Sequence, residues 1–291
     1  LKASSPLTSL RQAGIAAALS LAVAAVGSLI WSALLVSNAR TTPAVPWSVP
    51  AMALVLVVYW WYLSGHGWPS RTQPARAALL RARRVPIRVF GWSFLAGGFS
   101  LVALVGLWIV LVELTGNGGN PTISGIAGYP AIFVALAIAM GSLVSPLTEE
   151  AAFRGYAQVL LERRFSAVVA VVISSLFFAA WHGPTQGFFW SKLLFFFAVG
   201  LVFGSIAYLT NSTLPALPVH VVGDVLFFTL IWPHDFGRPL VWTHGADATF
   251  WLEAGQTVVF AALAVIALRR LRNVNRQALR PIAQPSWGAS E

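Results

Sequence analysis

The 291-residue chain contains no cysteine and only two methionines, and Asp, Glu, Lys and Arg make up 10% of it. Without cysteine there are no disulfides, no thiolate metal ligands and no cysteine nucleophile. A soluble globular domain carries about 25% charged residues. The shortage here, beside 57% hydrophobic residues and a mean hydropathy of +0.75, excludes that class. Acids are scarcer than bases, 9 against 19, for a formal charge of +10. In a soluble chain such an excess suggests nucleic acid; in a membrane chain it reports cytoplasmic loops facing anionic lipid, and no nucleic-acid partner is expected. The motifs of several intramembrane hydrolases are missing too. None of the five histidines precedes a glutamate, so there is no HExxH; no GxSG occurs; Gly223-Asp224 lacks the upstream glycine of a GxGD site. There is no internal repeat and no heptad array. The chain opens on Leu1, which either an unusual start codon or a missing N-terminus accounts for.

What is present is a series of long apolar runs. A bilayer crossing takes about 20 apolar residues as helix. Charge-free or nearly charge-free runs cover Gln12–Ala39, Trp47–Leu63, Val89–Val112, Tyr129–Pro146, Phe165–Trp181, Phe188–Leu209, Leu214–Trp232 and Trp251–Leu268. The expected fold is therefore all-α, a polytopic membrane bundle of about eight transmembrane helices. The first run is too long for a signal-peptide core and reads as an uncleaved anchor. With the N-terminus inside, basic residues divide 16 to 3 in favour of the inner side. The inner share is Lys2, Arg11, the six arginines from Arg71 to Arg88, Arg154, Arg163, Arg164 and the five from Arg269 to Arg280; only Arg40, Lys192 and Arg238 fall outside. Both termini are accordingly predicted to be cytoplasmic. The arginine blocks are read as topology signals first and lipid contacts second. The chain divides into N-terminal helices with their basic loop (1–128), a core (129–268) and a basic tail (269–291).

An ionisable side chain inside a span costs about 3 kcal/mol on insertion scales, so its presence suggests function. Glu149, Glu150, Arg154, His182, His220 and Asp224 are such residues. Glu150 and Arg154 are four apart, on one helix face, as are His220 and Asp224. Glu162, Arg163 and Arg164 suit a cytoplasmic turn between two antiparallel helices. Glu149 lies 14 residues before Arg163, and His182 lies 17 after Phe165. At about 1.5 Å per residue both sit roughly 20–25 Å from the turn, so the two side chains are expected to meet. Gly183-Pro184 is expected to break the helix just beyond His182. A carboxylate beside an imidazole, out of bulk water, is an arrangement for activating a water molecule, and a second imidazole can stabilise an oxyanion. Glu149, His182 and His220 are equally a legitimate Zn2+ ligand set with an open fourth position. Both routes lead to hydrolysis near the inner half of the bilayer, and the sequence leaves the choice open.

The run Glu149-Glu150-Ala-Ala-Phe153-Arg154-Gly155-Tyr156 resembles the EExxxR motif, continued as FRG, of the CAAX-protease and bacteriocin-processing family of intramembrane proteases, also called the ABI family. Phe178-Ala-Ala-Trp-His182 is similar to its FxxxH motif, and His220-Val-Val-Gly-Asp224 to its HxxxN or HxxxD motif. All three stand in the family's order, and the first four spans carry none. The resemblance implies a helical membrane peptidase, labelled a metalloprotease in some accounts, whose site lies within the bilayer and whose substrate is a membrane-associated peptide or protein, CAAX-type or bacteriocin-like. It implies that Glu149 activates water with His182, that Glu150 and Arg154 brace the site, and that His220 and Asp224 bind the transition state. The competing reading is an immunity or scaffold protein that binds a hydrophobic peptide without chemistry. A proton-coupled transporter ranks last, since it normally brings inverted repeats. Glu113 is expected to be solvated. His66, His234 and His244, with Asp235 and Asp247, fall in predicted loops, and Phe195-Phe196-Phe197 is expected to face lipid or pack.

Overall fold

In a computed structural model, residues 6–119, 125–126, 128–235 and 237–278 are described; they form helices and short turns, with no strand among them. The helices of eight or more residues are α1 (Pro6–Thr41), α2 (Ser48–Leu63), α3 (Gln73–Leu80), α4 (Ile87–Thr115), α5 (Ala131–Glu162), α6 (Ala167–Gln186), α7 (Trp190–Thr210), α8 (Ala216–His234) and α9 (Ala248–Ala278). Seven are long and apolar enough to cross a membrane. The exceptions are α3, of 8 residues, and α2, apolar but only 16 residues long. At about 1.5 Å per residue it reaches roughly 24 Å, short of the roughly 30 Å hydrocarbon core. The expected bundle of about eight helices is thus built from seven full-length helices and one short one.

Local chemistry sets the ends. After α1 the Asn38 side chain donates to the carbonyls of Thr42 and Val45 and accepts from Ser48 N, which shapes the turn into α2. Pro86 and Pro130 lead into α4 and α5, and α4 stops at Gly116, whose positive φ of 72° lets its N–H reach Val112 O. The Ser166 hydroxyl accepts from Val169 N at the start of α6. The expected break at Gly183-Pro184 does not occur there. α6 runs on to Gln186, because Pro184 sits in the last turn, where only one carbonyl loses its donor, and the stop comes at Gly187 (φ 89°).

α5 is not a uniform α-helix. Its middle, Glu150–Ala157, is a π-helix framed by α-helical Ala131–Glu149 and Gln158–Glu162. Such wide turns are rare and concentrate at functional sites. Ser174 of α6 donates to Phe153 O at 2.6 Å, satisfying a carbonyl inside the wide segment.

Long-range contacts bring the arginine-rich stretches to one end of the bundle. Gln12 donates to Leu160 O (3.4 Å), Arg81 pairs with Glu162, Ser212 donates to Arg83 O (2.6 Å) and Asn275 donates to Leu209 O (2.7 Å). Arg76 and Arg81 are therefore more than topology signals: both are buried, and Arg76 binds the carbonyls of Tyr62, His66 and Gly67. Arg269, Arg270, Arg272 and Arg276 continue α9 as helix; Lys2 and Arg280 lie outside the described residues. At the other end Asp235 accepts from Trp108 Nε1 (2.8 Å), Gly119 N (2.9 Å) and Arg238 Nε (3.2 Å). Glu113 is buried there with Arg238 3.9 Å away, so the expectation of a solvated carboxylate fails: the segment after α8 folds back over the end of α4.

Candidate active site

The site is built on the wide turn of α5. Glu149 ends the regular helix and Glu150 opens the π-segment, and the two carboxylates reach different atoms of the same histidine. Glu150 Oε1 lies 3.0 Å from His220 Nδ1 and 3.2 Å from Arg154 NH1. Glu149 Oε2 lies 3.7 Å from His220 Nε2, and its Oε1 lies 3.7 Å from His182 Nε2. Asp224 Oδ1 is 3.7 Å from His220 Nε2, one helical turn along α8. All six residues singled out in the sequence therefore converge. Ser145, one turn before Glu149, lies beside the carboxylates of both Glu149 and Asp224 and was not singled out.

The surroundings explain why these residue types sit at these spacings. The Phe178 carbonyl accepts from His182 Nδ1 at 2.8 Å, and its ring lies 4.1 Å under the Arg154 guanidinium. One phenylalanine thus fixes both the imidazole and the arginine. A carbonyl only accepts, so Nδ1 carries the proton and His182 Nε2 is left with its lone pair facing Glu149. Phe196 stacks on His182 with centroids 3.8 Å apart, and Phe203 stacks on His220 at 4.5 Å. Phe196 is accordingly a wall of the site rather than a lipid-facing residue, and Phe195 packs edge-on against Trp108. The i,i+4 relation of Phe178 to His182 and of Phe203 to nothing nearby in sequence shows why only the first was legible.

Glu149, His182, His220 and Asp224 line a cavity of about 260 Å³. Its other walls are mostly apolar and come from α1 (Trp31, Leu35), α4 (Leu101, Leu104), α7 and α8. The N-terminal helices, which carry no motif, therefore supply part of the enclosure. Glu149 stands about 20 Å from the arginine-rich end of α5 at the usual rise, and the cavity extends away from that end, toward Leu35, Gln186 and Trp232.

One carboxylate and two imidazoles with accessible Nε2 atoms are donors that zinc accepts. Here, however, the histidines approach different oxygens of Glu149, and no group of three or more such side chains among the described residues is arranged to hold a metal ion. What this geometry offers directly is proton transfer and hydrogen bonding.

Residues 131–226, about a third of the chain, match the family model of the Rce1-like type II CAAX prenyl endopeptidases. That segment, running from the start of α5 through the α-helical part of α8, is a domain of the CAAX-protease and bacteriocin-processing family, a family of membrane proteases. No curated protein and no solved structure matches the chain.

Proposed function

We propose that the protein is an intramembrane endopeptidase in which Glu149 and His182 activate a water molecule against a peptide bond. The observation that carries this is the pair of acceptors 3.7 Å apart at the cavity wall, Glu149 Oε1 and His182 Nε2. Two acceptors at that separation do not bond to each other, but a water donating one proton to each fits between them. Its lone pairs then point away from both, toward a carbonyl carbon in the cavity. As the oxygen attacks, its proton passes to Glu149; when the C–N bond breaks, Glu149 returns a proton to the departing amine.

His220 is suited to the developing oxyanion. Glu150 holds its Nδ1–H, and an imidazolium at this position has Nε2–H free to donate, with carboxylates near both nitrogens to balance the charge. Arg154, pinned between Glu150 and Phe178, keeps Glu150 oriented. A metal ion at this site would be held by Glu149, His182 and His220 and would supply the activated water, and a chelator would then remove activity.

The match to CAAX prenyl endopeptidases and the aromatic cavity favour a substrate with an apolar segment, a prenylated CAAX-type peptide first and a bacteriocin-like peptide second. The arginine-rich end of the bundle belongs in the cytoplasm, together with both termini. The test is a fluorescence-quenched peptide carrying a prenylated CAAX sequence, with its unprenylated counterpart and a bacteriocin-like peptide, given to purified protein in lipid nanodiscs. The reading expects one peptide bond to be cut and one 18O atom to enter the new carboxylate from labelled water. No cleavage of any probe, with protection in cells unaffected by Glu149→Ala, would instead support a protein that only binds its peptide.

A further inference from the structure

We infer that Gln186 is a substrate-positioning residue that accepts a backbone N–H of the peptide about two residues from the scissile bond. The inference rests on the peptidase reading above for the identity of the ligand, but on separate atoms. Gln186 is 8% exposed, it lines the cavity, and its Oε1 is buried with no hydrogen-bond partner among the described residues. A buried carbonyl oxygen left unpaired is unfavourable and rare in folded proteins. The oxygen is out of reach of water where it stands, and turning the terminal amide brings it to the cavity that the residue lines, where an occupant can supply a donor.

The neighbourhood narrows that donor. Thr185 directs its hydroxyl to the His182 carbonyl (3.3 Å) and is committed. Phe196 and Phe228 make the adjoining walls apolar, Trp181 is engaged with the Glu149 carboxylate, and Trp232 Nε1 is a buried donor that also lacks a partner. A peptide chain threaded past them has lost water from its N–H groups, and Gln186 offers an acceptor. Position along the chain follows from geometry. Gln186 is four residues beyond His182 on α6, a rise of about 6 Å at 1.5 Å per residue. An extended peptide advances about 3.3 Å per residue, so the bonded N–H is about two residues from the carbonyl that the water attacks.

The experiment uses the quenched peptide that the wild-type protein cleaves best, together with a series in which single backbone N–H groups are replaced by ester oxygens. Gln186→Met keeps size and removes the acceptor. With wild-type protein, one ester, at the second residue from the scissile bond, raises KM about three- to tenfold, the range for one lost hydrogen bond. Gln186→Met raises KM for the all-amide peptide by a similar factor, with kcat within about twofold, and that same ester then has no further effect. Equal and additive ester effects in both proteins, or a variant with unchanged KM, would overturn the assignment.

Binding of the fluorescent peptides to the Glu149→Gln protein separates the two claims. If nothing is cleaved but the ester and Gln186→Met effects persist in Kd, the positioning role stands and the peptidase reading fails. If cleavage is normal and neither effect is seen, the reverse holds. A raised KM and a lowered kcat together with a lowered melting temperature in detergent would mark Gln186 as structural and overturn the proposal.

Discussion

Glu149 and Glu150 are adjacent in sequence and chemically alike, yet their environments give them different tasks. Glu150 is fully buried and tied to Arg154 and to His220 Nδ1, so its carboxylate has a fixed orientation and faces no substrate. Glu149 has an oxygen toward each histidine and lines the cavity. Glu149→Gln should therefore reduce kcat by about 100- to 10,000-fold, the usual contribution of a positioned general base, with the melting temperature in detergent nearly unchanged. Arg154→Met should do the opposite kind of damage. It leaves the buried Glu150 carboxylate with the His220 Nδ1–H but without its cation, and breaking a buried pair costs about 3–5 kcal/mol, visible as a lowered unfolding midpoint before any rate is measured. Replacing Glu150 and Arg154 together by Gln and Met should recover much of that stability; the Gln oxygen still accepts from His220 Nδ1 but no longer brings a negative charge to the imidazole, so the double variant melts near wild type but turns over slowly.

At the scale of elements, the wide turn of α5 and its close neighbour explain a glycine. A Cβ on Gly155 would lie 2.8 Å from the Leu79 carbonyl oxygen and 3.3 Å from that of Leu80, backbone atoms that do not move aside easily. Gly155→Ala should destabilise the protein by about 1–3 kcal/mol, measured as a shift in thermal melting, and should lower activity by displacing Glu149 and Glu150 together. The helices themselves, the turn at Arg163 and the levelling of Glu149 with His182 were legible in the sequence, because hydropathy and rise per residue are local properties. The partners of Arg81, Glu113 and Asp235 were not. Glu162 is 81 residues from Arg81, Arg238 follows Glu113 at a distance in sequence, and Trp108 donates to Asp235 across 127 positions. Each of these depends on which helices pack together, which periodicity does not encode. Gly183-Pro184 misled for a related reason: the pair does weaken a helix, but its position in the final turn made the loss small. The π-segment had no signature that spacing alone could reveal.

For the whole molecule, the bundle has two chemically distinct ends, and the cavity leads from its middle toward the arginine-poor one. Cysteines placed at Arg163 and at Arg238, labelled in intact cells with an impermeant maleimide, should react only at Arg238, since the chain has no cysteine of its own; labelling at Arg163 alone would invert the orientation. Enclosure matters as much as the charged groups. Trp31 and Leu101, from helices outside the matched segment, form walls, so a fragment reduced to residues 131–226 should not support turnover even if it inserts. A strong chelator separates the two routes to hydrolysis: activity that persists supports Glu149 and His182 acting alone, and activity that is lost assigns Glu149, His182 and His220 to a metal ion.

The central claim is that one water is activated between Glu149 and His182, and single-turnover cleavage measures it most directly. Wild-type, Glu149→Gln and His182→Ala proteins, each shown folded by melting in detergent, are mixed in excess with the quenched peptide in nanodiscs. The account predicts that the cleavage step slows by at least about 100-fold in both variants, while peptide binding stays within a few-fold. A Glu149→Gln protein that cleaves at the wild-type rate would contradict it.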